Sequence, residues 1–410
     1  MTTWKRTLYL LVFVQLVSAI GMSSIFPFLP LYVESLGSTT GLSIEVLAGL
    51  VYSTQAFAMM VAAPFWGALA DRYGRKPMVV RATLGGAIIV ALMGFAQSAE
   101  QLVALRAVQG LVTGVISAIT ALVASIVPRE RAGYALGLLQ VGLWGGISVG
   151  PLLGGATADL FGFRAAFLLT AALLAVAGVV VWRMIDEHFS PLPSAVGRRP
   201  NFLGAWQHVV SMPGVSSTYL ARFLNELARN VVMPFTPLFV ASLMTREAGI
   251  ATITGVITAL SALAGTIAAV YLGRLGDRVG HKRVLIASAA GAALFYFPQS
   301  AVNAVWQLLV LQALAGFAAG GVMPTLSALL ATYTDPGEEG AVYGLEAAIM
   351  SAARAAAPLA GAALVGWFGL RALFTSTGIV FLVLALAAAR RLPSGRAVRR
   401  AAATTITTAR

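Results

Sequence analysis

The sequence has no cysteine and little charge. Asp, Glu, Lys and Arg together make up 10% of the 410 residues, whereas hydrophobic residues make up 59%, and the mean hydropathy is +0.85. The absence of cysteine excludes disulfides and thiolate metal sites. A soluble chain of this length needs far more charge to cover its surface, so we expect lipid to surround most of this protein.

Groups that could carry out catalysis are equally scarce. The three histidines, His188, His208 and His281, fall in predicted loops or interfacial segments, which excludes a His-rich metal site. We find no paired carboxylates and no Ser/His/Asp set, as an integral-membrane enzyme would require at the interface. The sequence therefore predicts a protein that is not an enzyme and that uses neither a metal nor another cofactor.

Long apolar runs, separated by short polar breaks, fill the chain. A spanning helix needs about 20 apolar residues, and helices are the spans that a bilayer permits here. The first run, Leu8 to Leu31, is too long for a signal-peptide core and lacks a small-residue cleavage site, so we interpret it as a retained span. The sequence predicts an all-α membrane protein with twelve transmembrane helices.

Basic residues set the expected orientation. In a twelve-span arrangement their clusters all lie on one side, and the other side keeps only Arg164, Arg246 and Arg371. Positive charge marks the cytoplasmic side, so we expect a multi-pass protein of the cell inner (cytoplasmic) membrane with both termini in the cytoplasm, and no nucleic-acid partner despite a net charge of +13. The clusters are Lys5–Arg6, Arg72–Arg81, Arg129–Arg131, Arg183–Arg199, Arg274–Arg283 and Arg390–Arg400.

The two halves of the chain are copies of one another. Asp71 recurs as Asp277, 206 positions later, and Pro151 recurs as Pro358, 207 positions later. The same offset relates matching residues in five separate spans, and such duplication is typical of transporters. We expect one chain to supply both bundles, as a monomer. The predicted division is 1–187 for the first six-helix bundle, 188–213 for a cytoplasmic linker, 214–392 for the second bundle and 393–410 for a basic cytoplasmic tail.

Three motifs resemble the major facilitator superfamily, and the resemblance covers essentially the whole chain. Gly67–Lys76 is similar to that family's loop between spans two and three, and Leu102–Gly110 to its fourth-span motif with an embedded arginine, here Arg106. The fifth-span pattern Gly137–Gly155 is similar to the motif of the drug:proton antiporter branch. The resemblance implies a secondary transporter of small molecules.

The loop motif predicts a conformational latch. Gly67 and Gly74 favour tight turns and close helix approach, while Asp71 can accept hydrogen bonds from a helix N-terminus in the other half. Arg72 and Arg75 belong to the same loop, at least as topology charges, and Asp277 is the repeat of Asp71.

The fifth-span motif predicts close packing. Gly146, Gly150 and Gly154 are spaced four apart, which lets helices pack backbone to backbone. We expect Pro151 to bend this helix and the segment to act as a hinge or seal between the halves.

Six ionisable residues fall inside predicted spans: Arg106, Arg222, Glu226, Arg229, Glu346 and Arg354. A charge in the bilayer is costly and is therefore a functional hypothesis by default. Glu226 lies about 15 Å into its span. It either carries a proton or only neutralises Arg222 and Arg229, which share its helix face. Glu346 is either a second proton site or a partner for the arginines.

The excess of embedded arginine disfavours cations in the substrate cavity and favours anionic, zwitterionic or neutral amphiphiles. Arg106 either faces substrate or serves the proton relay that the family motif implies. The other substrate-facing candidates are Arg354, Arg222, Arg229, Gln15, Tyr52, Gln55, Gln140 and Trp144.

The sequence thus favours a proton-coupled exporter of small amphiphilic compounds that works by alternating access. Export of an anionic or zwitterionic metabolite, siderophore or lipid-like compound is an alternative. So is nutrient import by the same fold, although the fifth-span motif argues against it. A channel is disfavoured because one chain already contains both halves.

Overall fold

The computed structural model describes residues 3–128, 131–187, 207, 210–212, 214–245, 248–333 and 339–393, and the regular structure among them is helical. The predicted tail and most of the predicted linker lie outside these residues. In chain order the helices are α1 (Thr3–Ser24), α2 (Leu29–Leu36), α3 (Ile44–Tyr73), α4 (Lys76–Val80), α5 (Gly86–Met93), α6 (Ala99–Val112), α7 (Val115–Ile126), α8 (Ala132–Phe161), α9 (Phe163–Met184), α10 (Val215–Val232), α11 (Thr236–Leu243), α12 (Ile250–Val279), α13 (His281–Tyr296), α14 (Val305–Gly320), α15 (Val322–Tyr333), α16 (Glu339–Phe368) and α17 (Arg371–Arg391).

Eleven helical segments of the described chain are long and apolar enough to cross a bilayer. The twelfth expected span is α10 with α11, joined by a 3-10 turn over Met233–Phe235. Pro234 and Pro237 lack the N–H groups that a continuous helix would need. This segment is less apolar than the others because α10 carries Arg222, Glu226 and Arg229.

The first apolar run is also interrupted. Helix α1 ends at Ser24, and a turn containing Pro27 separates it from α2, which begins at Leu29. The expectation of one continuous span from Leu8 to Leu31 is therefore wrong at its C-terminal end. Pro27 and Pro234 are repeat-related, since they lie 207 positions apart, and each accompanies a break in its span.

The glycine row of α8 lies against α1. A methyl group on Gly150 would overlap the hydroxyl of Ser23, and one on Gly154 would overlap the carbonyl of Ser24. Ser23 Oγ also donates a hydrogen bond to the carbonyl oxygen of Gly146 at 3.2 Å. Alanine at these positions would push the two backbones apart, so glycine is what permits the contact.

The described chain forms two compact units that do not follow the division into sequence halves. One takes its residues from Met1–Gly197, Met233–Ala262 and Pro358–Trp367; the other takes them from Arg198–Val232, Leu263–Ala357 and Phe368–Arg410. Helices α12 and α16 each contribute to both units. The first unit thus contains segments of the second sequence half.

Inside the first unit, the internal repeat reappears as two related contacts. A methyl group on Gly49 of α3 would lie 2.8 Å from the carbonyl oxygen of Pro358. Gly255 of α12 packs in the same way on Pro151, where an added methyl group would overlap the carbonyl oxygen. Each proline has no N–H for the preceding turn of its helix.

The second of these contacts has an additional acidic cap. Asp159, near the end of α8, accepts hydrogen bonds from the main-chain N–H groups of Thr252 at 2.6 Å and Ala251 at 3.4 Å. These N–H groups belong to the first turn of α12 and have no partner within the helix. A carboxylate is also favourable at the positive end of the helix dipole. The repeat-related position of Asp159 is Gly366, which has no side chain to do the same.

Candidate functional site

Helix α10 presents a buried polar face, which is unusual for a spanning helix. Thr218, Tyr219, Arg222, Asn225 and Glu226 are all buried. Each lies three or four residues from another member of the group, so together they form one stripe along the helix. Helices α15 and α17 pack against α10 in the second unit, and α16 supplies the partners of its charged side chains.

Arg222 and Glu346 form a closed ion pair between α10 and α16. Arg222 Nη1 contacts Glu346 Oε1, and Arg222 Nη2 donates a hydrogen bond to Ser327 Oγ of α15 at 2.8 Å. The side chain of Arg222 is only 2% exposed. Nearby, the Tyr219 hydroxyl donates to the carbonyl oxygen of Val342 at 3.0 Å, which also joins α10 to α16.

Glu226 and Arg354 form a second ion pair between the same helices, and this pair is open. Arg354 Nε donates to Glu226 Oε2 at 3.0 Å, while the side chain of Arg354 remains 44% exposed and that of Glu226 9% exposed. The amide of Asn230 donates to the main-chain oxygen of Glu226 at 2.7 Å and to Oε2 at 3.3 Å. The carboxylate is therefore held from two helices.

These pairs correct the expected partners of Glu226. The interpretation that Arg222 and Arg229 neutralise Glu226 along their own helix is wrong, because Arg222 pairs with Glu346 and Glu226 with Arg354. Arg229 is exposed and makes neither an ion pair nor a hydrogen bond within the described residues. Cross-helix pairs prevail because α16 places Glu346 opposite Arg222 and Arg354 opposite Glu226.

Arg106 occupies a different kind of environment, in the first unit. Its side chain is 2% exposed, and Nη1 donates to Gln109 Oε1 at 2.8 Å. The guanidinium lies 5.5 Å from the centre of the Tyr52 ring. No described acid pairs with Arg106, and its Nε and Nη2 atoms are buried without a hydrogen-bond partner among the described residues. The structure brings Arg106 and Tyr52 together, but not Arg106 and either glutamate.

The remaining cavity candidates are scattered within the first unit. Gln15 is 2% exposed on α1, whereas Gln140 and Trp144 are exposed on α8. The main-chain oxygen of Gln55, on α3, packs so closely against Gly110 of α6 that a methyl group on Gly110 would overlap it. These residues share no hydrogen bond within the described chain.

The loop after α3 differs from expectation at one of its glycines. Gly74 ends α3 with a φ of 95°, in the region that favours glycine. Gly67 lies inside α3, so the tight turn expected there is wrong. The side chain of Asp71 lies outside the described residues. Its repeat Asp277 is exposed and pairs with His281 four residues later, at 3.3 Å.

Glu187, which was not among the predicted site residues, is hydrogen-bonded to this loop. Glu187 accepts hydrogen bonds from the main-chain N–H groups of Arg75 at 2.9 Å and Lys76 at 2.7 Å. It thereby caps the start of α4 from the end of α9, as Asp159 caps α12. Both acids are more than 90 positions away from the N–H groups that they cap, so local spacing contained no signal for either. Within the described residues, no group of three His, Asp or Glu side chains could hold a metal.

Comparison with known sequences agrees with this architecture. The sequence model of the Major Facilitator Superfamily matches residues 11–219 and again residues 218–407. This chain belongs to the Major Facilitator Superfamily. Its members are membrane transporters rather than enzymes, so the twelve-span, multi-pass assignment and the non-enzymatic class predicted from the sequence are confirmed.

Individual relatives extend over almost the whole chain. It is 36% identical over 383 residues to "Multidrug resistance protein MdtG" of Dickeya zeae (strain Ech586), covering 93% of each chain. It is also 36% identical over 406 residues to the protein of the same name from Enterobacter lignolyticus (strain SCF1), covering 98% of this chain and 94% of the relative.

A solved structure supports the fold. The crystal structure of a bacterial homologue of the human lysosomal transporter Spinster, in an inward-facing and unoccupied conformation, superposes with a TM-score of 0.78 at 13% sequence identity. It covers 97% of this chain and 98% of the other. At that identity the likeness concerns the fold alone.

Proposed function

We propose that this protein is a secondary active transporter of the multidrug-efflux type, which exports small amphiphilic compounds in exchange for protons. The relatives that match nearly the whole chain are named multidrug resistance proteins, which supports export of such compounds. The fifth-span glycine pattern, whose backbone contact with α1 is close, supports the same branch of the superfamily. The bilayer, the transported compound and the proton are its partners, and it acts as a monomer by alternating access.

The observation that carries proton coupling is the open pair of Glu226 and Arg354. A coupling group must exist both charged and neutral, and it must respond to the state of the carrier. The 3.0 Å bond from Arg354 Nε is the contact by which α16 compensates the charge of Glu226. Any motion of α10 against α16 therefore changes the surroundings of this carboxylate. Glu346, held by Arg222, is the secondary candidate.

The orientation and the mechanical parts belong to the same proposal. The one-sided basic clusters support cytoplasmic termini in the inner membrane, with bundles over 1–187 and 214–392, a linker over 188–213 and a tail over 393–410. Asp71 acts as the latch of the loop after α3. Gly146, Gly150, Pro151 and Gly154 act as the sealing segment between α8 and α1.

Transport in inverted membrane vesicles tests the proposal. With an imposed pH gradient, a panel of amphiphilic compounds should accumulate in vesicles containing the protein, and collapse of the gradient should release them. Glu226→Gln should abolish accumulation while leaving gradient-free exchange of compounds without an ammonium group intact, whereas Glu34→Gln, at an exposed acid of α2, should behave as wild type. Accumulation by Glu226→Gln at the wild-type level would remove Glu226 from the coupling mechanism.

A further inference from the structure

The open pair leaves several hydrogen-bonding groups unused. It is held by a single bond, from Arg354 Nε to Glu226 Oε2. Among the described residues, Nη1 and Nη2 of Arg354 and Oε1 of Glu226 have no hydrogen-bond partner. A guanidinium can bind a carboxylate through two parallel bonds, so this pair uses less of its capacity than its chemistry allows. A forked donor and an acceptor of opposite charge are therefore available side by side.

The position of Arg354 indicates that these groups meet water. Arg354 lies at the middle of the 30-residue helix α16, and its side chain is 44% exposed. A guanidinium at that depth facing lipid would be costly, and such residues face the protein interior or a water-filled cavity. The exposed face of the pair is thus accessible to a dissolved ligand. Arg222, at 2% exposure, is not.

We propose that the Glu226–Arg354 pair is the binding site for a zwitterionic head group, one that carries an ammonium next to a carboxylate or a similar anion. The anionic group of the ligand accepts hydrogen bonds from Nη1 and Nη2 of Arg354, and its ammonium donates to Oε1 of Glu226. This inference rests on the proposed function, because it names the class of compound that the transporter takes.

Charge complementarity selects the zwitterion over singly charged analogues. An anion alone gains from Arg354 but is repelled by Glu226, and a cation alone has the opposite difficulty. A zwitterion gains from both, and each charge of the ligand and of the site is compensated. Near the pair, Arg222 and Glu346 neutralise each other, and Arg229, three residues after Glu226, is an additional exposed charge.

The same geometry makes protons competitors of the ligand. The ligand's ammonium requires ionised Glu226, so a proton on Oε1 removes its acceptor, and ligand binding expels a proton in turn. Such mutual exclusion is what an exchange of proton for substrate requires. Beyond the pair itself, the ionisable groups with described side chains on the helices packed around it are Arg222, Arg229 and Tyr219 of α10, Glu346 of α16, Tyr333 at the end of α15, and Arg371, Arg390 and Arg391 at the ends of α17.

Three ligands with closely matched chains test the proposal with the purified full chain in lipid nanodiscs. They are 2-aminodecanoic acid, decanoic acid and decylamine, whose carboxylate and ammonium groups stay ionised between about pH 6 and 8. By calorimetry at pH 8, the amino acid should bind at least about tenfold more tightly than either analogue, since it gains one more charge-assisted hydrogen bond. Lowering the pH should weaken its binding, and binding should release a proton, measured from heats in buffers of different ionisation enthalpy.

Variants test which residue binds the carboxylate of the ligand and which binds its ammonium. Arg354→Gln should bind 2-aminodecanoic acid no better than decylamine. Glu226→Gln should bind it no better than decanoic acid and should lose proton release. Arg164→Gln, at an exposed arginine of α9, is the matched control and should retain the full preference. If a Gln variant unfolds, Arg354→Lys and Glu226→Asp serve instead, since each keeps the charge and alters only the geometry.

Equal affinity for all three ligands, or binding that is independent of pH, would overturn the proposal. Binding requires no gradient, so its outcome is separate from that of vesicle transport. A zwitterion preference without gradient-driven accumulation would contradict the proposed export function but support the binding site at Glu226 and Arg354. Accumulation of other amphiphiles without any zwitterion preference would support the export function but contradict this binding site.

Discussion

Two ion pairs join α10 to α16, yet they differ in almost every property except the residue types that form them. Arg222 is nearly inaccessible and is bonded to both Glu346 and Ser327. Arg354 is 44% exposed and holds Glu226 by one bond. A pair whose buried arginine is bonded to a carboxylate and to a hydroxyl is difficult to open, so it serves to hold two helices together. A pair whose arginine is exposed can trade its partner for a proton or a ligand.

The comparison is tested most strongly by removing Arg222. Arg222→Gln leaves the Glu346 carboxylate in a buried position without its cation, and breaking a buried pair in this way costs about 3–5 kcal/mol. We expect a large loss of thermal stability in detergent, measured by the unfolding midpoint of the purified protein. The double variant Arg222→Gln/Glu346→Gln should recover most of it. Equal stability of the single variant and wild type would contradict the claim that the Arg222–Glu346 pair holds α10 and α16 together.

Removing Arg354 should have a much smaller effect on folding. An exposed charge contributes about 0–1 kcal/mol through its ion pair, the side chain of Arg354 is 44% exposed, and the buried Glu226 keeps Asn230 as a donor. We expect the unfolding midpoint of Arg354→Gln to stay close to wild type while gradient-driven transport is lost. If this variant unfolded as readily as Arg222→Gln, the two pairs would be equivalent and the distinction would fail.

The smallest changes in stability are expected when the neutral hydrogen-bonding partners of the two pairs, Ser327 and Asn230, are replaced. Ser327→Ala removes one hydrogen bond from the closed pair and should cost about 1 kcal/mol, because a buried donor loses its acceptor. Asn230→Ala removes a weaker contact from the open pair and should leave stability unchanged within about 0.5 kcal/mol. Its effect should be seen in the pH dependence of transport. Unfolding curves and pH profiles of both variants, measured side by side, check this ordering.

A similar contrast exists between the two halves. In the described part of the first half, Arg106 is the buried arginine, and it lies among the neutral partners Gln109 and Tyr52. The second half buries opposite charges that compensate each other. Both halves descend from one repeated unit, so the spans are alike while the embedded chemistry has diverged. The acidic cap on α12 shows the same divergence, since Asp159 corresponds to a glycine in the second copy.

Sequence patterns were enough to predict that lipid surrounds this protein, that its fold is all-α and that its two halves are copies of one unit. Hydropathy, glycine spacing and a constant offset are properties of local segments or of their repetition, and they need no knowledge of packing. The same local information identified Glu226, Glu346 and Arg354 as costly charges in a membrane.

The partner of each embedded charge, in contrast, could be identified only from the tertiary structure. Arg354 is 128 positions away from Glu226, so no helical periodicity relates them, and the nearer Arg222 and Arg229 were wrongly expected as its partners. The caps by Glu187 and Asp159 and the assignment of 233–262 and 358–367 to the first unit were equally beyond local reasoning. Packing places distant helices side by side, and only then does the strength of a charge pair depend on burial and on the hydrogen bonds that complete it.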